Sequence, residues 1–183
     1  PVSEERIDAR LRGDERSFAR AMADIARQSA EQLADALEVS SIRRMLDVGG
    51  GPGLYSIEFA RRNPDLHATL FDNAKTLEVA RANADQAGVS AQIVFQPGDV
   101  GQDEFGEGYD FILLSNFVHI FSAEINQAIV EKCARALVSG GRQCIKDFYV
   151  DSSRTAPLWS ALFAVNMLVG TEGGDCYTVE EAQ

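Results

Sequence analysis

Cysteine is scarce in this sequence: only Cys133, Cys144 and Cys176 among 183 residues carry a thiol, and they lie far apart with no C-x-x-C pair. That spacing supports neither a disulfide framework nor a structural zinc site, and a reduced, cytoplasmic protein is expected. Basic residues are also few, 17 Lys and Arg against 28 Asp and Glu, for a formal charge of −11. Nucleic acid is bound through clustered cations that release counterions from phosphate, so it is not expected as a partner. No apolar run approaches the roughly 20 residues that cross a bilayer, and the Glu- and Arg-rich start holds no signal-peptide core. No repeat, low-complexity tract or Pro/Gly-rich linker divides the chain. A helical cap over residues 1–40 followed by one domain over 41–183, with no membrane partner, is the expected organisation.

What is present is an alternation of two periods. Residues 14–38 repeat apolar positions at helical spacing, through Phe18, Met22, Ile25 and Leu33. Ile42 to Val48 then gives a short apolar run ending in glycines, as a buried parallel strand does when it enters a tight turn. A helix over Tyr55–Arg62, a strand over His67–Phe71, a helix over Ala74–Ala87 stopped by Gly88, and a strand over Gln92–Phe95 follow. Tyr109–Leu114 is a fourth strand; Ser122 can cap the next helix, which Gly140-Gly141 ends. A fifth strand over Gln143–Tyr149 leads into an apolar helix over Ala156–Val169. Strands alternating with helices predict an α/β fold, a doubly wound parallel sheet with Rossmann-like order 3-2-1-4-5.

In such a sheet the first strand-to-helix turn lies closest to a ligand. Here it reads Asp47-Val48-Gly49-Gly50-Gly51-Pro52-Gly53. A dinucleotide fingerprint needs G-x-G-x-x-G, but the sixth position is Leu54 counted from Gly49 and Ser56 counted from Gly51, so a nicotinamide oxidoreductase is disfavoured. Asp72 ends the second strand about 20 residues on, where an acid can accept both hydroxyls of a ribose or, alternatively, cap a helix.

The Asp-x-Gly-x-Gly-x-Gly pattern of Asp47, Gly49, Gly51 and Gly53 resembles the first motif of the class I methyltransferase family. The resemblance implies S-adenosyl-L-methionine as cofactor, with S-adenosyl-L-homocysteine as product, held on Asp47, Gly49, Gly50 and Gly51. It also implies that Gly98, Asp99 and Val100 hold the adenine, although an Asp-containing turn is the plainer alternative there. Beyond the fourth strand, Ser115-Asn116-Phe117-Val118-His119 contains no Asn/Asp-Pro-Pro-Tyr/Phe sequence of the kind found in nucleic acid amino-methyltransferases. Nor does it start a carboxylate cluster for magnesium, and no metal is expected.

Histidine is the side chain that titrates closest to physiological pH, which suits His119 to accept a hydroxyl proton. The stretch from Ser115 to Glu124 is similar to the plant-type small-molecule O-methyltransferase family. That resemblance implies a methyl transfer to the hydroxyl of a small, aromatic metabolite, with His119 as general base and Asp147 as the acid that orients it. It sets Ser115 and Asn116 against the cofactor, and Phe18, Met22, Asn166 and Met167 around the substrate; by residue type, Phe117, Phe121, Trp159, Phe163 and Met167 could line an aromatic-substrate pocket. Trp159, Phe163 and Met167 fit ordinary core or dimer contacts equally well. The sequence departs from the family where Ser115 replaces its cofactor-contacting Lys and Ile120 its Asp. A module or relative that binds the cofactor without methyl transfer is therefore the alternative. The family's sheet has seven strands and its chains a preceding helical dimerisation domain. Only five strands are read here, so a fragment of a homodimeric protein is expected.

Overall fold

The computed structural model describes residues 26–183, which divide into two compact units between Glu38 and Val39. In the first, residues 26–36 form helix α1; Phe18 and Met22 lie outside the described residues. The second unit is built on β1 (Arg44–Val48), β2 (His67–Asp72), β3 (Ile93–Pro97), β4 (Tyr109–Ser115) and β5 (Leu137–Lys146). All five pair in parallel in the order β3-β2-β1-β4-β5, as the alternation predicts. Parallel neighbours need crossovers, and α2 (Leu54–Arg62), α3 (Ala74–Ala87) and α4 (Ala123–Ala136) provide them; α5 (Leu158–Gly170) follows β5.

Helices cover both faces of the central strands, which is why β1 and β4 read as continuous apolar runs: Met45, Leu46, Val48, Ile112, Leu113 and Leu114 are all fully buried. β1 starts two residues later than its apolar run suggests, because the Ile42 carbonyl accepts from the buried Asn63 Nδ2 at 2.6 Å instead of joining the ladder. α3 has the expected bounds and closes at Gly88 in a left-handed conformation, while its N-cap is Asn73, whose side chain accepts from the Thr76 amide, and not Asp72.

Two boundaries differ from expectation. α4 ends at Ala136, not at Gly140-Gly141, and both glycines lie inside β5. Gly140 has φ +79°, and the β4–β5 register jumps from Tyr109↔Leu137 to Phe111↔Arg142, so the glycines form a bulge that lets the strand begin early. β5 in turn stops at Lys146, which frees Asp147–Tyr149 as a loop. Ser122 takes the N-cap position of α4, but its side chain caps no backbone amide. Among the described residues, no helix is long and apolar enough to cross a membrane, and no cluster of three His, Cys, Asp or Glu could hold a metal ion.

Candidate active site

Chain connections leave β1 and β4 in opposite directions, so a crevice opens where their carboxyl ends adjoin. The glycine loop fills its floor. Gly49 has φ +66° and its amide donates to the Phe71 carbonyl at 2.8 Å, while any Cβ there would overlap the Phe117 ring. Gly51, at φ +56°, has nothing within 4 Å of a Cβ position, so the open side of the loop is here.

Asp47, expected on the cofactor, has no exposed surface and lies beneath the loop. Its Oδ2 accepts from Ser56 Oγ at 2.7 Å, and a Cβ on Gly50 would stand 2.7 Å from that same oxygen. Oδ1 has no partner. Burial pushes the carboxyl up to about 6, opposed by the Ser56 hydrogen bond and reinforced by the charge of Asp72.

Asp72 turns inward at the end of β2. Its Oδ2 accepts from the Gly51 amide at 2.9 Å, and its Oδ1 from the amide and side chain of Asn73 at 2.7 and 2.8 Å. A carboxylate has about four acceptor sites, so a bidentate ribose contact requires Asn73 Nδ2 to fall back on Thr76 Oγ1, already 2.8 Å away. Gly98 follows, its amide on the Asp72 carbonyl at 3.0 Å. Asp99 closes a turn, accepting from the Gly101 amide at 2.8 Å and Gln102 Nε2 at 3.0 Å. Asp72, Asp99, Val100, Gly49 and Phe117 line one cleft of about 250 Å³. Its two carboxylates, two glycines and apolar wall fit a nucleoside carrying a positive sulfonium.

Phe117, expected on the substrate side, thus borders this cleft, held there by the contact with Gly49 and a ring contact with Phe121 at 5.1 Å. It also precedes the turn Val118–Ile120 that carries His119. The His119 Nδ1 lies 2.6 Å from Asp147 Oδ1, which also accepts from the Phe148 amide at 2.8 Å. Asp147 Oδ2 accepts from the Phe117 and His119 amides at 3.0 and 3.3 Å. Both side chains are nearly buried, 9% and 2% exposed, so the pair is fixed on every side. Phe163 meets the His119 ring edge-on at 4.9 Å, and the Phe148 ring lies tilted against Phe163 at 4.6 Å. Behind the turn, Gly174 is packed so tightly on the His119 carbonyl that a Cβ would overlap it.

On α5, Phe163 and Met167 are half-buried, whereas Trp159 is 57% exposed and Asn166 is exposed. That helix turns only one edge to the domain, so its remaining large side chains are not brought to His119. Ser115 is buried at the end of β4, and Asn116 takes a left-handed conformation at φ +50°. Residues not foreseen are Phe148, Tyr55 and Lys146: Asn116 Oδ1 accepts from Lys146 Nζ at 2.6 Å, and Asn116 Nδ2 faces Tyr55 Oη at 3.5 Å. Phe148 was signalled by its place next to Asp147; nothing in the sequence marks Tyr55.

A nucleoside cleft at the switch point of a 3-2-1-4-5 sheet is the architecture of class I methyltransferases. The chain matches the O-methyltransferase domain family over residues 6–182, and it belongs to that family. It is 37% identical to 3-hydroxy-5-methyl-1-naphthoate 3-O-methyltransferase of Streptomyces sahachiroi over 145 residues, covering 79% of this chain and 42% of that protein. It is 30% identical to L-tyrosine C(3)-methyltransferase of Streptomyces lavendulae over 90% of this chain and 45% of that one. Among solved structures, an O-methyltransferase family 2 protein from Planctomyces limnophilus in complex with apigenin superposes with a TM-score of 0.83 and 31% identity, over 91% of this chain and 52% of that one. The chain thus spans about half the length of these relatives.

Proposed function

We propose that this chain is the cofactor-binding and catalytic part of an S-adenosylmethionine-dependent O-methyltransferase acting on a hydroxyl of a small aromatic metabolite. The observation that carries this reading is the His119–Asp147 pair, 2.6 Å apart and walled by Phe148 and Phe163, with His119 two residues beyond Phe117 in the wall of the nucleoside cleft. The carboxylate accepts the Nδ1 proton, so Nε2 keeps its lone pair and can take a proton from the acceptor hydroxyl. His119 is the general base and Asp147 its positioning residue. When bound, the cofactor supplies an electrophilic methyl group. Gly49–Gly51 and Asp72 would hold its ribose and sulfonium arm, Gly98, Asp99 and Val100 its base, and Ser115 and Asn116 its far end. Asp47 supports the loop from below.

Phe163 and Met167 serve as acceptor walls together with Phe148. The naphthoate, tyrosine and apigenin named for the three relatives are all hydroxyaryl compounds, which supports the choice of acceptor class. We place residues 1–40 as a segment separate from a catalytic domain over 41–183, within a cytoplasmic homodimer. The charge of −11 argues against a nucleic acid acceptor.

The test is to incubate the intact protein with S-adenosylmethionine and a panel of hydroxyaryl acids and phenols, reading a mass gain of one methyl group. His119→Ala should lower turnover by roughly 10² or more. Equal turnover in the variant would remove His119 from the chemistry, and no cofactor binding by calorimetry would remove the reading altogether.

A further inference from the structure

Lys146 is a cation with no assigned task at the carboxyl end of β5. It is half-buried, it is the Cα partner of Ser115 across the β4–β5 ladder, and its Nζ donates to the neutral Asn116 Oδ1 at 2.6 Å. The Phe148 ring lies 5.1 Å from the ammonium. Among the described residues it has no carboxylate within ion-pair distance: the nearest acid in sequence, Asp147, has both oxygens turned to His119 and to backbone amides. Burial lowers its pKa, partly offset by the charge of Asp147. A cation withdrawn from water and paired only with an amide oxygen is incompletely compensated, and an anion reaching it would gain a charge-assisted bond.

The order of the sheet says which anion arrives. The adenine-side turn follows β3, the ribose acid ends β2, the open glycine loop follows β1 and Asn116 follows β4. Neighbouring strands are about 4.8 Å apart, so a ligand laid across these four ends runs for about 14 Å and points its last group at β5. For S-adenosylmethionine that last group is the amino-acid end. We propose that Lys146, presented by Asn116, is the counter-ion of the cofactor's carboxylate, and so selects cofactors that carry the amino-acid tail over nucleosides that lack it.

This inference rests on the cofactor assignment above, and calorimetry with two ligands separates them. S-adenosylhomocysteine has the carboxylate; methylthioadenosine has the same nucleoside and sulfur without it. Lys146→Met should weaken homocysteine-ligand binding roughly tenfold and leave methylthioadenosine binding unchanged, and Lys146→Arg should retain most of the preference. The unchanged methylthioadenosine affinity also certifies that the variant is folded. Equal weakening of both ligands, or of neither, overturns the proposal. So does a variant whose only defect is a raised KM for acceptors bearing a carboxylate, which would assign Lys146 to the acceptor. Absence of binding to the unaltered protein would sink the cofactor assignment itself.

Discussion

Asp147→Asn exchanges one oxygen for an amide nitrogen in a side chain that accepts four hydrogen bonds, from His119 Nδ1 and from the amides of Phe117, His119 and Phe148. With its remaining oxygen toward the Phe117 and His119 amides, the substituted side chain would present its NH2 to the imidazole. Nδ1 must then accept, the ring proton moves to Nε2, and the face turned to the acceptor loses its lone pair. General-base catalysis contributes about 10² to 10⁴ in rate, so turnover should fall within that range. The fold should survive: one charge-assisted bond is lost and one buried amide is left facing a donor, a cost of about 1–3 kcal/mol. Single-turnover methyl transfer at saturating cofactor measures the first quantity, and urea unfolding with S-adenosylhomocysteine calorimetry measures the second. A variant that binds the product normally but turns over within about threefold of the unaltered protein would refute the idea that Asp147 sets the imidazole tautomer.

The buried Asp47 makes stability depend on pH. Its folded pKa of about 6 exceeds the ordinary 3.8, so the protonated form is the one favoured by folding; that contribution is complete below about pH 4 and is lost as pH rises through 6. The shift corresponds to about 3 kcal/mol. Relative to Asp47→Asn, the unaltered protein should therefore lose about that much unfolding free energy between pH 4 and 7, and a pH-independent difference in urea titrations would contradict the burial argument. Gly49→Ala puts a methyl group into the Phe117 ring at a backbone φ of +66°, which should destabilise the domain by about 2–4 kcal/mol and abolish S-adenosylhomocysteine binding. Binding at full strength in that variant would show that the loop does not need its observed path.

Much of this was legible in the sequence, because the periodicities and the ligand loop are local. The switch from helical spacing to short apolar runs located every strand of the sheet, and Gly88 marked the end of its helix. Gly140-Gly141 misled: a glycine pair after a helix reads as a stop, but here the β4 edge recruits the chain earlier and the left-handed glycine becomes a bulge. Proximity was legible where a motif sets a residue type at an offset, as with Asp72 beside the glycine loop, and where the family resemblance pairs two positions, as with His119 and Asp147. They were not legible where three-dimensional packing decides. Phe117 looked like one of several aromatics near the acceptor, and only its contact with Gly49 assigns it to the cleft. Lys146 and Tyr55 converge on Asn116 from positions 30 and 61 residues away, a convergence no spacing rule encodes.

Phe117 is a partition shared by two rooms. Its ring closes the nucleoside cleft against Gly49, and its own amide, together with that of His119, hangs from the same Asp147 oxygen. A backbone shift at Phe117 that moves the ring also moves the amide held by Asp147, and with it the loop that carries the imidazole. Occupancy of the nucleoside side and the aim of the imidazole are therefore linked quantities, and linkage of this kind runs both ways with equal strength. On the proposed roles, a donor that seats the ring firmly would steady the imidazole, and an acceptor that steadies the imidazole would tighten the hold on the donor.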